Sequence, residues 1–319
     1  MTLYTALGKS KDWEKDTHES APQYREHIFT GDGGVPIFGI VAIPPAPKGT
    51  IVATYGITGT LENQWFLKIL GRKAYACGYA VVMFDWRAHG KTAELSPQLT
   101  SDGIHEGEDF VQIARQSLQL GCPAPMWLVA YSLGGQLALW GIKAGENVPE
   151  IAGGAVICPS IESDRSLTYL MAHPIGKYLE RAIAKELRKL AWGLHHHHPT
   201  EIDPQAIERA TTIWGFDREL VIPRLGFETV KDYYAATSPL YFIEHLTKPT
   251  LIIYAADDPL FDPTLVGDLE DIVRGQSNID LILTPHGGHV GHISSLACQK
   301  LSNDRDPWWS WNRVLEWIQ

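Results

Sequence analysis

The segment that most narrows what this chain can fold into is an apolar run, Leu128-Val129-Ala130-Tyr131, that stops at Ser132 and continues through Leu133-Gly134-Gly135 into a helical period. A strand passing into a helix across one serine makes a tight turn. It holds the hydroxyl out and leaves the next backbone N–H facing whatever the hydroxyl attacks. Ala130 stands where glycine is usual in this pattern, the mildest departure available. A serine at a helix start also serves as a simple cap, so the motif takes its meaning from the rest of the chain.

Around that turn the periods alternate. Residues 26–43 read as two strands joined through Gly31-Asp32-Gly33-Gly34, an antiparallel hairpin closed off by Pro44-Pro45-Ala46-Pro47. Strands are then predicted at 50–55, 80–85, 126–131 and 153–158, with helices at 62–77, 107–120 and 135–144 between them. From 160 to 246 strand signals vanish and the sequence is helical and rich in Trp, Tyr and Leu. A strand at 249–254, a helix at 263–274, a strand at 279–283 and a helix from Pro307 complete the chain. The expected class is α/β, a mostly parallel central sheet with helices on both faces and a helical cap insertion. The core is assigned to 1–159 and 247–319, and the cap to 160–246.

Composition removes several function classes. A net charge of −10 and a pI near 5.7 disfavour nucleic acid, which needs clustered Lys and Arg. Cys77, Cys122, Cys158 and Cys298 lie far apart without metal-ligand spacing, and neither disulfides, a metal nor a cofactor is expected. No charged leader precedes an apolar segment at Met1, and no apolar run is long enough to span a bilayer, so the expected location is the cytoplasm. The run His195 to His198 is read as a solvated loop, since four adjacent histidines point in different directions. Trp308, Trp309, Trp311 and Trp317 are read as one helix face packed on the sheet.

In an open parallel sheet, chemistry gathers at the carboxyl ends of the strands. Four such ends carry it here: Tyr55-Gly56-Ile57-Thr58-Gly59, Ser132, Ala255-Ala256-Asp257-Asp258-Pro259, and His286-Gly287-Gly288-His289. Serine needs a histidine to take its proton, and the imidazole needs a carboxylate to hold its tautomer. Asp258 is preferred to Asp257 because it directly precedes the turn at Pro259. His289 is preferred to His286 because Gly287-Gly288 leaves room for the loop to approach the serine. The N–H groups of Ile57 and Leu133 are candidates to bind an oxyanion.

These stretches resemble the YheT-like esterase and lipase branch of the α/β hydrolases. Tyr55–Gly59 is similar to that branch's HGLTG, Phe84–Gly90 to FNWRGxG, Tyr131–Gly135 to FSLGG, Asp232–Tyr234 to DYY, Ala255–Pro259 to AxDDP and His286–Gly291 to HGGHVG. The chain departs from it at Tyr55, Ala88, Ala130 and His292, which replace His, Gly, Gly and Phe. The resemblance implies a serine hydrolase acting on an acyl ester or lipid through Ser132, Asp258 and His289, and an acyl-enzyme intermediate. An acyltransferase using the same three residues and a non-catalytic binding protein are the alternatives. Ser132 excludes dehalogenase and epoxide hydrolase chemistry, which needs a carboxylate nucleophile.

Arg87 is read as a structural brace, and His105, Glu106 and Asp109 as helix-start caps. The basic stretch Arg181, Lys185, Arg188 and Lys189 is read as a solvated helix face, with peripheral lipid contact as the alternative.

Overall fold

The computed structural model describes residues 10–319; residues 1–9, on which the reading of the N-terminus depended, lie outside it. Its centre is one eight-stranded sheet in the order β1-β2-β4-β3-β5-β6-β7-β8. The strands are β1 (Arg25–Thr30), β2 (Pro36–Ala42), β3 (Thr50–Ala53), β4 (Ala80–Phe84), β5 (Met126–Tyr131), β6 (Ile151–Ile157), β7 (Thr250–Ala255) and β8 (Ile279–Thr284). Strand β2 runs antiparallel to β1 and β4, and all other pairs are parallel. Central strands β3, β4 and β7 are buried along their whole length, as a sheet covered on both faces requires, whereas edge strand β1 is mostly exposed.

Among the described residues, the helices of eight or more residues are α1 (Trp65–Ala76), α2 (Ile104–Gln119), α3 (Leu133–Ala144), α4 (Ser163–Ala172), α5 (Pro174–His197), α6 (Val230–Thr237), α7 (Leu265–Val273) and α8 (Trp309–Ile318). Strands β4 and β5 lie on opposite sides of β3, so the chain reverses its direction of travel across the sheet there. That reversal opens a crevice at the carboxyl ends of β3 and β5, the usual place for a ligand in such a sheet.

Two details differ from the sequence reading. The tetrahistidine is no loop: His195, His196 and His197 close the last turn of α5, because Leu194 continues the buried stripe of Leu187 and Ala191. His195 Nδ1 lies 2.8 Å from the Ile202 carbonyl and His198 Nε2 2.9 Å from that of Ala93. The tryptophans do not share one buried helix face either. Trp308 precedes α8 and donates to Thr17 Oγ1, Trp311 packs on Phe66 and Tyr131, and Trp309 and Trp317 remain partly exposed.

Residues between β6 and β7 form helices around a second apolar cluster, built from Leu187, Ala191, Leu194, Phe216, Tyr233 and Tyr234 among others. No described helix is long and apolar enough to cross a membrane.

Candidate active site

Ser132 sits between β5 and α3 with φ 56° and ψ −134°, a left-handed conformation that costs a non-glycine residue energy and is sustained only by its surroundings. Those surroundings are crowded. A Cβ at Gly134 would collide with the Tyr55 carbonyl oxygen, and one at Gly56 would stand 2.8 Å from Ser132 Cβ. Only glycine allows the 55–59 loop to lie against the serine. Helix α3 begins at Leu133, so its first amide follows the serine directly and has no partner within the helix.

His289 reaches the serine from the loop after β8, and Asp258 reaches His289 from the loop after β7. His289 Nε2 is 2.8 Å from Ser132 Oγ, and Nδ1 is 2.8 Å from Asp258 Oδ2. A carboxylate only accepts, so Nδ1 carries the proton and Nε2 is left to accept from the serine hydroxyl. Asp258 is held in turn by the Leu260 amide at 2.9 Å, and Phe261 packs edge-on against the His289 ring.

The two competing residues do something else. Asp257 Oδ1 accepts from the amides of Gly287 and Gly288 at 2.8 and 2.7 Å, fastening the histidine loop to the aspartate loop. Burial opposes its ionisation, but those amides and neighbouring His286 outweigh burial and hold its pKa below the ordinary carboxylate value. His286 points into solvent.

The 55–59 loop is braced from below. Tyr55 is buried and its hydroxyl donates to Asp85, which also accepts from the Leu61 and Lys91 amides at 2.8 and 2.9 Å. A residue not singled out from the sequence completes the support. His89 is buried, stacked on Trp86 at 3.6 Å, with Nδ1 2.9 Å from the Arg87 carbonyl and Nε2 3.1 Å from the Thr58 amide. The carbonyl can only accept and the amide only donate, so the ring is neutral with its proton on Nδ1. Burial drives its pKa down to about 4. Its only sequence signal was a polar ring inside the Arg87 loop.

Arg87 braces this loop from outside the cavity, forking onto Asp109 at 2.7 and 2.9 Å and donating to the Asp32 carbonyl at 2.8 Å. Of the three expected helix caps only Glu106 acts as one, accepting from the Ser101 and Gly103 amides. Asp109 serves Arg87, and His105 pairs with Asp32 in the hairpin turn. His292 occupies its position as an aromatic ring. It is buried and stacked on Trp309, and burial lowers its pKa to about 4.

A cavity opens above Ser132, lined by Ile57 and Phe261 from the strand-end loops, by Leu133 at the start of α3, and by Leu167, Leu187 and Leu190 from α4 and α5. Asp102 and Asp217, both buried, also line it. Burial, then the charge of Glu106, raises Asp102 to about 7; burial, then the charge of Asp102, raises Asp217 as well. Among the described residues, no cluster of three or more His, Cys, Asp or Glu is arranged to hold a metal ion.

Comparison with known proteins agrees with this architecture. A Synechocystis protein named "Putative esterase slr0264" is 51% identical over the whole chain and 90% of its own length. The Escherichia coli protein named "Putative esterase YheT" is 27% identical, over 85% of this chain and 76% of its own. Mouse phospholipase ABHD3 is also 27% identical, over 88% of this chain and 69% of its own. The crystal structure of the Pyrococcus furiosus esterase Pf2001 shares the fold with a TM-score of 0.58 at 18% identity, covering 94% of this chain and 93% of that one. Residues 59–297 match the family described as "Alpha/beta hydrolase family", and the chain belongs to it.

Proposed function

We propose that this protein hydrolyses carboxylic esters with Ser132 as nucleophile, His289 as general base and Asp258 as the carboxylate that orients it. The relay of two 2.8 Å contacts, opening onto an apolar cavity, carries this reading. Ser132 Oγ attacks the acyl carbon as its proton passes to His289 Nε2. Asp258 stabilises the imidazolium, and the amides of Ile57 and Leu133 hold the oxyanion. His289 then protonates the departing alkoxide, leaving an acyl-serine. Water, deprotonated by the same nitrogen, releases the acid and restores the hydroxyl. In this reading residues 1–159 and 247–319 are the hydrolase core and 160–246 the cap. The acyl chain lies against Leu167, Leu187 and Leu190. The esterase and phospholipase names of the relatives support an acyl ester or lipid substrate.

The test is intact mass after incubation with a fluorophosphonate, together with hydrolysis of p-nitrophenyl esters of increasing chain length. One adduct on the wild type and none on Ser132→Ala is expected, with hydrolysis falling by about 10⁶-fold in the variant. An adduct on folded Ser132→Ala, or its full activity, overturns the assignment.

A further inference from the structure

The basic stretch of α5 has no part in that chemistry, yet the way it is exposed is unusual. At 100° per residue, one side of α5 carries Glu180, Ala184, Leu187, Ala191 and Leu194, all buried. The outward side carries Ile175, Tyr178, Arg181, Lys185, Lys189 and Trp192. Ile175 is 74% exposed, Tyr178 71% and Trp192 37%. Met171 at the end of α4 and Trp214, in a short helix against α5, add two more exposed apolar side chains.

Cations fill the spaces between these residues. Arg181, Lys185, Arg188 and Lys189 line one shallow groove with Trp192 and Thr211. Arg188 pairs with Glu208 and Lys189 with Glu186, but Lys177, Arg181 and Lys185 make no ion pair among the described residues. A concentrated positive face is out of keeping with a chain of net charge −10.

We infer that the outward face of α5 docks this protein onto an anionic phospholipid surface. Trp and Tyr settle at the headgroup level, Ile175 reaches the acyl boundary, and each Lys or Arg gains from the anionic headgroups. Exposed aliphatic and aromatic groups interleaved with cations fit that surface better than a phosphodiester backbone, against which Ile175 and Met171 would gain nothing. The inward side of the same helix places Ile183, Leu187 and Leu190 in the cavity above Ser132. Docking would therefore hold the cavity's roof against the lipid. The docking itself does not depend on Ser132 acting as nucleophile.

The test is co-sedimentation of the full chain with vesicles of phosphatidylcholine alone or mixed with phosphatidylglycerol, at low and high salt. Binding is expected only to the mixed vesicles, weaker at high salt, and unchanged in Ser132→Ala, which separates this result from the catalytic assignment. Arg181→Gln with Lys185→Gln should lower partitioning by about 30-fold. Ile175→Ser with Tyr178→Ser should also lower it. Both double variants lie on the exposed face and should keep the wild-type circular dichroism and hydrolysis of a soluble short-chain ester. Equal binding to both vesicle types, or wild-type binding by either double variant, overturns the proposal. So does a dimer in solution that Tyr178→Ser dissolves in a protein that binds no vesicles, which would give this face to a second copy.

Discussion

The floor and the roof of the cavity above Ser132 treat buried polar groups in opposite ways. On the floor, made by the strand-end loops, the groups around Ser132 are matched to donors and acceptors: Asp258 to His289 and the Leu260 amide, Asp257 to two glycine amides, His89 to a carbonyl and an amide, while His292 behind them is buried with neither ring nitrogen bonded among the described residues. Where roof meets floor, Asp102 and Asp217 are buried with no ion pair among the described residues, and their pKa values rise as a result. Asp217 accepts from the Tyr234 hydroxyl, and Thr100 Oγ1 lies 3.3 Å from Asp102. The floor is therefore preorganised by hydrogen bonds, whereas at the junction burial and neighbouring carboxyl charge oppose the ionisation of both groups.

The strongest way to break this comparison is to remove one carboxylate from the floor. Asp258→Asn leaves the shape but lets the amide favour the wrong tautomer of His289, and turnover should fall by about 10⁴-fold. Asp257→Asn weakens a loop fastening without touching His289 and should cost at most about 10-fold. Steady-state kinetics on one soluble ester checks both. If the two variants lose activity equally, the floor does not divide its carboxylates between relay and brace.

How much of this was legible in the sequence follows the same division. The strand-end groups announce themselves locally: an apolar run broken at Ser132, an Asp beside Pro259, a His after Gly287-Gly288. Each precedes or follows a period change, and the geometry brings those side chains into contact. What could not be read depends on contacts far apart in the chain. Nothing near His89 indicates that its ring meets the Thr58 amide, 31 residues away. Nothing near Asp102 indicates that Asp217, carried by the helices between β6 and β7, shares its cavity. The spread of directions of four adjacent histidines suggests a loop, but the buried stripe of Leu187, Ala191 and Leu194 carries α5 onward through His197.

A smaller effect sharpens the picture of the floor. His89→Ala removes the acceptor for the Thr58 amide, beside the Ile57 amide assigned to the oxyanion. A displacement there on the order of 1 Å costs about 10²-fold in turnover. The loss should fall on kcat more than on KM, because the oxyanion forms only in the transition state. His89→Gln, which keeps an acceptor, should recover part of it. A change in KM alone would mean that His89 shapes the cavity wall rather than positioning the loop.

The smallest effect separates floor from junction by the sign of its pH dependence. Asp102 carries a folded pKa of about 7, above the 3.8 of an ordinary aspartate, so the folded state keeps a proton that the unfolded chain has released. Its contribution to stability is complete below 3.8, declines as pH rises toward about 7, and is gone above it. His89 behaves in the opposite sense. Its folded pKa of about 4 lies below the ordinary 6.5, so its contribution is complete above 6.5 and declines as pH falls toward about 4. The two slopes oppose each other across much of the same window, and the wild-type curve shows only their sum. Thermal melts of Asp102→Asn and His89→Gln against wild type separate them. Relative to wild type, Asp102→Asn should gain stability as pH rises through that window, and His89→Gln should gain as pH falls through it. Each change should be on the order of 1 kcal/mol, below what the full shifts imply, because Asp102 titrates together with Asp217 and the folded state relaxes to admit water around a buried group forced to charge. A curve for Asp102→Asn parallel to wild type would mean that this carboxyl is ionised in the folded state and satisfied like the carboxylates of the floor.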